Sequence, residues 1–105
     1  MEIVETPVFT KRIAEVLSDD EYRELQWALV INPEAGEVIP ATEGLWKLRW
    51  SVPGKGKRGG LRIIYYWYLR DERIFMLFPY KKSERADLTK VQLKILREYV
   101  KGGVL

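Results

Sequence analysis

Residues 45–80 read LWKLRWSVPGKGKRGGLRIIYYWYLRDERIFMLFPY, and the folding of this stretch decides the rest of the chain. Over 45–52, Trp46, Leu48, Trp50 and Val52 alternate with Lys47, Arg49 and Ser51. A period of two makes a strand with one apolar face and one cationic face. Residues 61–69, LRIIYYWYL, are β-branched and aromatic on both faces, as in a central strand. Residues 73–80, RIFMLFPY, read as a third strand, and Pro79 predicts that it leaves the ladder near its end. The connections are a glycine-rich basic turn, PGKGKRGG at 53–60, and a tight turn at Asp71-Glu72. Links this short make hairpins rather than crossovers, so the three strands are predicted to form an antiparallel meander.

Upstream, Glu2-Ile3-Val4-Glu5 reads as a short strand. Thr6-Pro7 reads as an N-cap and a first-turn proline, opening a helix over about 7–17 with Phe9, Ile13, Val16 and Leu17 at helical spacing. Ser18-Asp19-Asp20-Glu21 is a capping box. It opens a second helix that carries Tyr22, Leu25 and Leu29 on one face and stops at Asn32-Pro33. Residues 33–44, with two prolines and two glycines, read as a loop. Downstream, Thr89 to Gln92 caps a last helix, with Leu93, Leu96 and Val100 as its packing face and Gly102-Gly103 at its end. The order predicts one domain over 1–105. It is an α+β fold: a short N-terminal strand, two helices, a three-strand antiparallel meander and a C-terminal helix.

The 105 residues are 47% hydrophobic, enough to bury a core in a single small domain. There is no cysteine and no histidine, which leaves no disulfide, no thiolate metal site and no imidazole acid or base. No metal or cofactor is expected. MEIVETPVF has neither the basic nor the apolar segment of a signal peptide, and no apolar run is long enough for a membrane span. The expected location is the cytoplasm.

The charge is unevenly placed. Seven Lys and Arg and no Asp or Glu fall between Leu45 and Arg70, whereas residues 1–44 hold three cations against ten acids. The net charge is only +3, so the positive charge is concentrated on the meander, where it would attract a polyanion such as RNA. Lys47 and Arg49 share a strand face about 7 Å apart. Arg62 shares a face with Ile64, Tyr66 and Tyr68; a cation in so apolar a run is costly unless it is paired or faces solvent. Tyr80, Lys81 and Lys82 end the third strand and are placed to close the same surface. Lys55, Lys57 and Arg58 sit among the glycines of 53–60, a composition suited to a nucleic-acid backbone but lacking the ending of a nucleotide-binding P-loop. Trp46, Trp50 and Trp67 read as core residues rather than a base-stacking platform.

The stretch GLWKLRWSVPGKGKRGGLRIIYYWYLRDERIFMLFPYKKSERADLT resembles the RelE/ParE superfamily of toxins from type II toxin–antitoxin modules, in particular its HigB/RelE-type branch. The block GKGKRGGLRIIYY is the most specific part, and the likeness covers roughly residues 3–100. The resemblance implies a RelE-like fold and a ribosome-dependent endoribonuclease that cuts mRNA in the A site. It also implies a cognate antitoxin, usually a helix-turn-helix protein through which the pair would contact DNA. Position by position, it makes Lys47 and Arg49 the basic strand residues, Lys55, Lys57 and Arg58 the basic loop, Arg62 the arginine at the scissile phosphate, and Lys81 or Lys82 the cation after the last strand. The chain departs from the pattern in having no tyrosine between Lys81 and Tyr99, which leaves Tyr80 as a substitute.

Cleavage by the RNA's own 2′-hydroxyl needs a base, a clamp on phosphorane charge and an acid for the 5′-oxygen. A lysine crowded only by cations gives up its proton more readily, which makes Lys47 the candidate base. Arg62 and Arg49 are the candidate clamp, and Tyr80 or Lys82 the candidate acid. The competing expectations are a ParE-like gyrase inhibitor and a non-catalytic ribosome- or RNA-binding module.

Overall fold

The computed structural model describes residues 1–52, 60–70 and 72–101. The predicted 53–60 turn with Lys55, Lys57 and Arg58, residue Asp71, and the helix end at Gly102-Gly103 lie outside these residues, apart from Gly60. The elements are β1 (Glu2–Glu5), α1 (Pro7–Val16), α2 (Asp19–Ile31), β2 (Glu37–Val38), β3 (Leu45–Ser51), β4 (Gly60–Tyr68), β5 (Arg73–Lys81) and α3 (Lys90–Lys101).

The helix boundaries follow from their caps. Thr6 Oγ1 accepts from Phe9 N at 3.0 Å, and Pro7 has no N–H to leave unsatisfied in the first turn. The Ser18 capping box is complete: Glu21 N donates to Ser18 Oγ at 3.1 Å, and Ser18 N donates to Glu21 Oε1 at 2.8 Å. Asp19, Asp20 and Glu21 add negative charge at the positive end of α2. Thr89 and Gln92 exchange the same pair of bonds at the start of α3, at 2.9 and 3.1 Å.

The sheet has five strands in the order β1-β5-β4-β3-β2. The meander is as predicted, with β3, β4 and β5 antiparallel. Two edges go beyond it. β1 pairs parallel to β5, and two residues of the expected 33–44 loop pair with β3 as β2. Pro79 does not end the ladder, because β5 continues to pair with β4 as far as Lys81. It lies past the last β1 partner, Met76, where β5 is an edge, and its carbonyl accepts from Arg12 Nε at 3.0 Å.

Two apolar clusters lie on opposite sides of the sheet. α1 and α2 bury Phe9, Ile13, Leu25 and Leu29 against Leu48, Leu61, Ile63, Tyr65, Ile74 and Met76. Trp46, Trp50 and Trp67 pack against this cluster as core residues, and Trp46 stacks on Tyr65 with ring centroids 6.0 Å apart. On the other face, Leu93, Leu96 and Val100 of α3 pack over Leu45, Ile64, Phe75, Leu77, Tyr80 and Leu88.

One irregularity positions the site. Ile64 pairs with Phe78 and Tyr65 with Met76, so Leu77 is an extra residue in β5. A bulge shifts the alternation by one place. Phe75 and Leu77 face α3 before it, and Phe78 and Tyr80 face α3 after it. Without the bulge, Tyr80 would turn towards α1 and α2.

Candidate active site

Strand alternation starts the site. Leu45 faces the α3 side, so Lys47 and Arg49, two and four residues on, face the same way. In β4, Ile64 belongs to that face, and with it Arg62. The register then aligns three strands: Arg49 is opposite Arg62, and Arg62 is opposite Tyr80. Adjacent strands lie about 4.8 Å apart, so two guanidinium groups and a phenol share one row. Directly opposed like charges cost a sheet stability, by roughly 0.2–1 kcal/mol. An anion between the two guanidinium groups would relieve that opposition.

Tyr80 is 1% exposed. Burial raises its pKa and the Asp87 carboxylate acts in the same direction, while Arg62, Arg85 and Arg49 oppose the rise. Of these charges, Arg62 is the cross-strand neighbour of Tyr80. Among the described residues, Tyr80 Oη and Arg85 Nε are the buried side-chain polar atoms with no hydrogen-bond partner. Buried donors without acceptors are costly, and an anion entering the row would supply acceptors.

Lys47 Nζ lies 3.0 Å from Asp87 Oδ1. A carboxylate stands where only cations were expected. The reason for making Lys47 a base, a crowd of like charges with nothing to balance them, therefore does not hold. The buried phenol of Tyr80 likewise differs from the accessible proton donor expected of it.

The 82–89 connection that carries Arg85 and Asp87 is tied down at both ends. Glu84 Oε1 accepts from Lys81 N at 2.9 Å and from an Arg12 Nη at 2.8 Å, and these groups hold its carboxyl below the usual carboxylate range. The Arg12 guanidinium also sits 4.7 Å over the Phe78 ring. At the other end Leu88 is buried in the α3-side cluster. Arg85 and Asp87 were not singled out from the sequence. Asp87 had a signal, because it lies in the ADLT end of the stretch that carries the family resemblance; Arg85 had none beyond its charge.

The remaining predicted residues separate. Lys81 pairs with Leu61 across the ladder and lines a hollow of about 330 Å³ with Arg12, Glu15, Glu84 and Tyr80, while Arg49 and Arg62 are not among its lining residues. Lys82 is exposed just past β5, with its N–H donated to Gly60 O at 3.0 Å. Tyr66 and Tyr68 stack at 6.3 Å on the α3 side, and the Arg97 guanidinium lies 5.4 Å over the Tyr66 ring. Among the described residues no helix is long and apolar enough to cross a membrane.

The fold has a counterpart among solved structures. The free-state structure of a double arginine-to-alanine mutant of the E. coli toxin RelE superposes with a TM-score of 0.57, over 81% of this chain and 86% of that one. The two are 16% identical, so the likeness concerns the fold. Residues 34–103, from just before β2 to the end of α3, match the family described as the RelE toxin of the RelE/RelB toxin–antitoxin system. The chain belongs to the RelE toxin family.

Proposed function

We propose that this toxin is a ribosome-dependent endoribonuclease that cuts mRNA in the A site by attack of the 2′-hydroxyl on the adjacent phosphate. The observation that carries this reading is the row of Arg49, Arg62 and Tyr80 across three strands, with two buried donors nearby that lack partners. Charge develops on the phosphate oxygens as the phosphorane forms, and fixed cations that need no reorganisation stabilise it. Arg49 and Arg62 take that role, and Arg85 joins them from the 82–89 connection. Tyr80, closed off from solvent, supports the arginines instead of meeting the leaving group. Lys47, paired with a carboxylate, reads as the proton donor to the 5′-oxygen. Lys81 and Lys82 add positive charge at the end of β5, and Lys55, Lys57 and Arg58 serve as further cations for RNA and ribosome binding. The toxin acts in the cytoplasm, and its antitoxin is a helix-turn-helix protein through which the pair contacts DNA.

The test is primer extension on a short message held on purified ribosomes. A new stop inside the A-site codon, absent without ribosomes, is the expected result. Translational arrest with uncut message would replace the nuclease by a binding module. Loss of supercoiling by purified gyrase, with message intact, would point to a gyrase-directed toxin.

A further inference from the structure

Attack by a 2′-hydroxyl needs a proton acceptor beside it, and the chain has no histidine. On the nuclease reading above, we propose that Asp87 is this acceptor and that Lys47 is its paired acid. Three observations converge on Asp87. Its carboxylate lies 3.0 Å from Lys47, which is two residues from Arg49 on the same strand face, and Arg49 begins the Arg49–Arg62–Tyr80 row. Its side chain is 68% exposed, so substrate can reach it, whereas Tyr80 is 1% exposed. It is also held in place, between the Arg12–Glu84 pair and buried Leu88. The Lys47 contact uses Oδ1 and leaves Oδ2 for substrate.

The proton count closes within the pair. The 2′-oxygen bonds to phosphorus as its proton passes to the Asp87 carboxylate. The bond from phosphorus to the 5′-oxygen breaks, and that oxygen takes a proton from the Lys47 ammonium. The products are a 2′,3′-cyclic phosphate and a 5′-hydroxyl. Transfer of the proton from Asp87 to Lys47 across their contact restores both groups, and no water is consumed in this step.

A plain surface ion pair tying the connection to β3 would show the same distance, so the experiment needs a readout that such a pair would not move. The group in contact with the Asp87 carboxylate is the Lys47 ammonium from β3, which shares its strand face with Arg49; Arg62 of β4 and Tyr80 of β5 continue that row, and Arg85 and Glu84 lie on the connection that carries Asp87. An acid limb that is lost in Asp87→Asn and kept in Asp87→Glu is the signature of a carboxylate acting as the base. The rate of a single round of cleavage on saturating programmed ribosomes is measured against pH. Wild type is expected to slow towards acid pH. Asp87→Asn should cut on the order of 10²-fold more slowly and lose that limb, with the same unfolding temperature. Asp87→Glu should keep the limb and recover part of the rate. If Asp87→Asn cuts as fast as wild type, or faster, with the wild-type pH profile, the assignment is wrong and Asp87 is only a counter-ion. If wild type itself leaves the message uncut, the nuclease reading falls and Asp87 with it.

Discussion

Arg62→Ala separates a catalytic arginine from a structural one. Arg62 contributes little visible stability: its guanidinium makes one long contact, 3.4 Å to the carbonyl of neighbouring Leu61. No ion pair holds it among the described residues, and its cross-strand neighbour on one side is Arg49. Removing it relieves a like-charge opposition of roughly 0.2–1 kcal/mol, so Arg62→Ala should unfold at the wild-type temperature or a few degrees above it. The transition state responds in the opposite direction. Unit charges about 4 Å apart at an effective dielectric near 20 interact by about 4 kcal/mol. The phosphorane presents only part of its added charge to any one donor, so the loss should be about 2.7–4 kcal/mol, or roughly 10²–10³ in rate. Single-turnover cleavage on saturating ribosomes isolates this step from docking, and thermal unfolding of the same preparation supplies the other half. Cleavage at the wild-type rate would remove Arg62 from the chemistry. A loss of activity matched by a loss of fold would show that the long Leu61 contact had been undervalued.

Three further perturbations test the frame and the site. At Gly36 an added Cβ would lie 2.6 Å from the Lys47 carbonyl oxygen, which is backbone and cannot swing away, so Gly36→Ala should cost about 1–3 kcal/mol by denaturant unfolding and slow cleavage by displacing β3. Tyr65 Oη donates to Pro33 O at 2.7 Å and accepts from Gly36 N at 3.1 Å, so Tyr65→Phe should cost about 1–3 kcal/mol in the same measurement. Burial pushes the Tyr65 phenol from 10.0 up to about 12, so the fold favours its neutral form. That stability is fully present below pH 10.0 and is lost as pH rises towards about 12, and Tyr65→Phe should unfold less steeply over that window. Arg85→Met removes a buried nitrogen that lacks a partner, so it should leave stability unchanged or raise it by about 1 kcal/mol while lowering cleavage on the order of 10²-fold.

The legible parts of the fold were those with a local cause. Thr6, Ser18 and Thr89 cap the helices through side chains three residues from the groups they bind, so the sequence carries the whole interaction. The alternation in β3 fixed which face holds Lys47 and Arg49, because a polar set and an apolar set cannot exchange faces without burying charge. β2 was not legible, since two residues between Pro33 and Pro40 are too few to show a period. The parallel docking of β1 on β5 depends on a partner about 70 residues away, and nothing in Glu2–Glu5 encodes its direction.

The least legible feature matters most to the site. RIFMLFPY is apolar almost throughout, so its periodicity names no face, and the extra residue at Leu77 leaves no mark in it. Yet that residue puts Tyr80 beside Arg62 rather than under α1, and it sends the chain on towards Arg85 and Asp87 from the α3 side. The arginines themselves were readable as cations, but their opposition across the ladder was not, because register is a property of two strands together. This explains why the sequence pointed to Lys47 as a base. It showed seven cations between Leu45 and Arg70 and not the carboxylate folded back onto Lys47 from 40 residues downstream. Like charges held in register and buried donors without partners cost the free protein stability, and the one carboxylate at the edge offsets only the Lys47 charge. On the proposed nuclease reading, that cost is offset on binding, when a phosphate meets the arginines and the free donors and a 2′-hydroxyl meets Asp87.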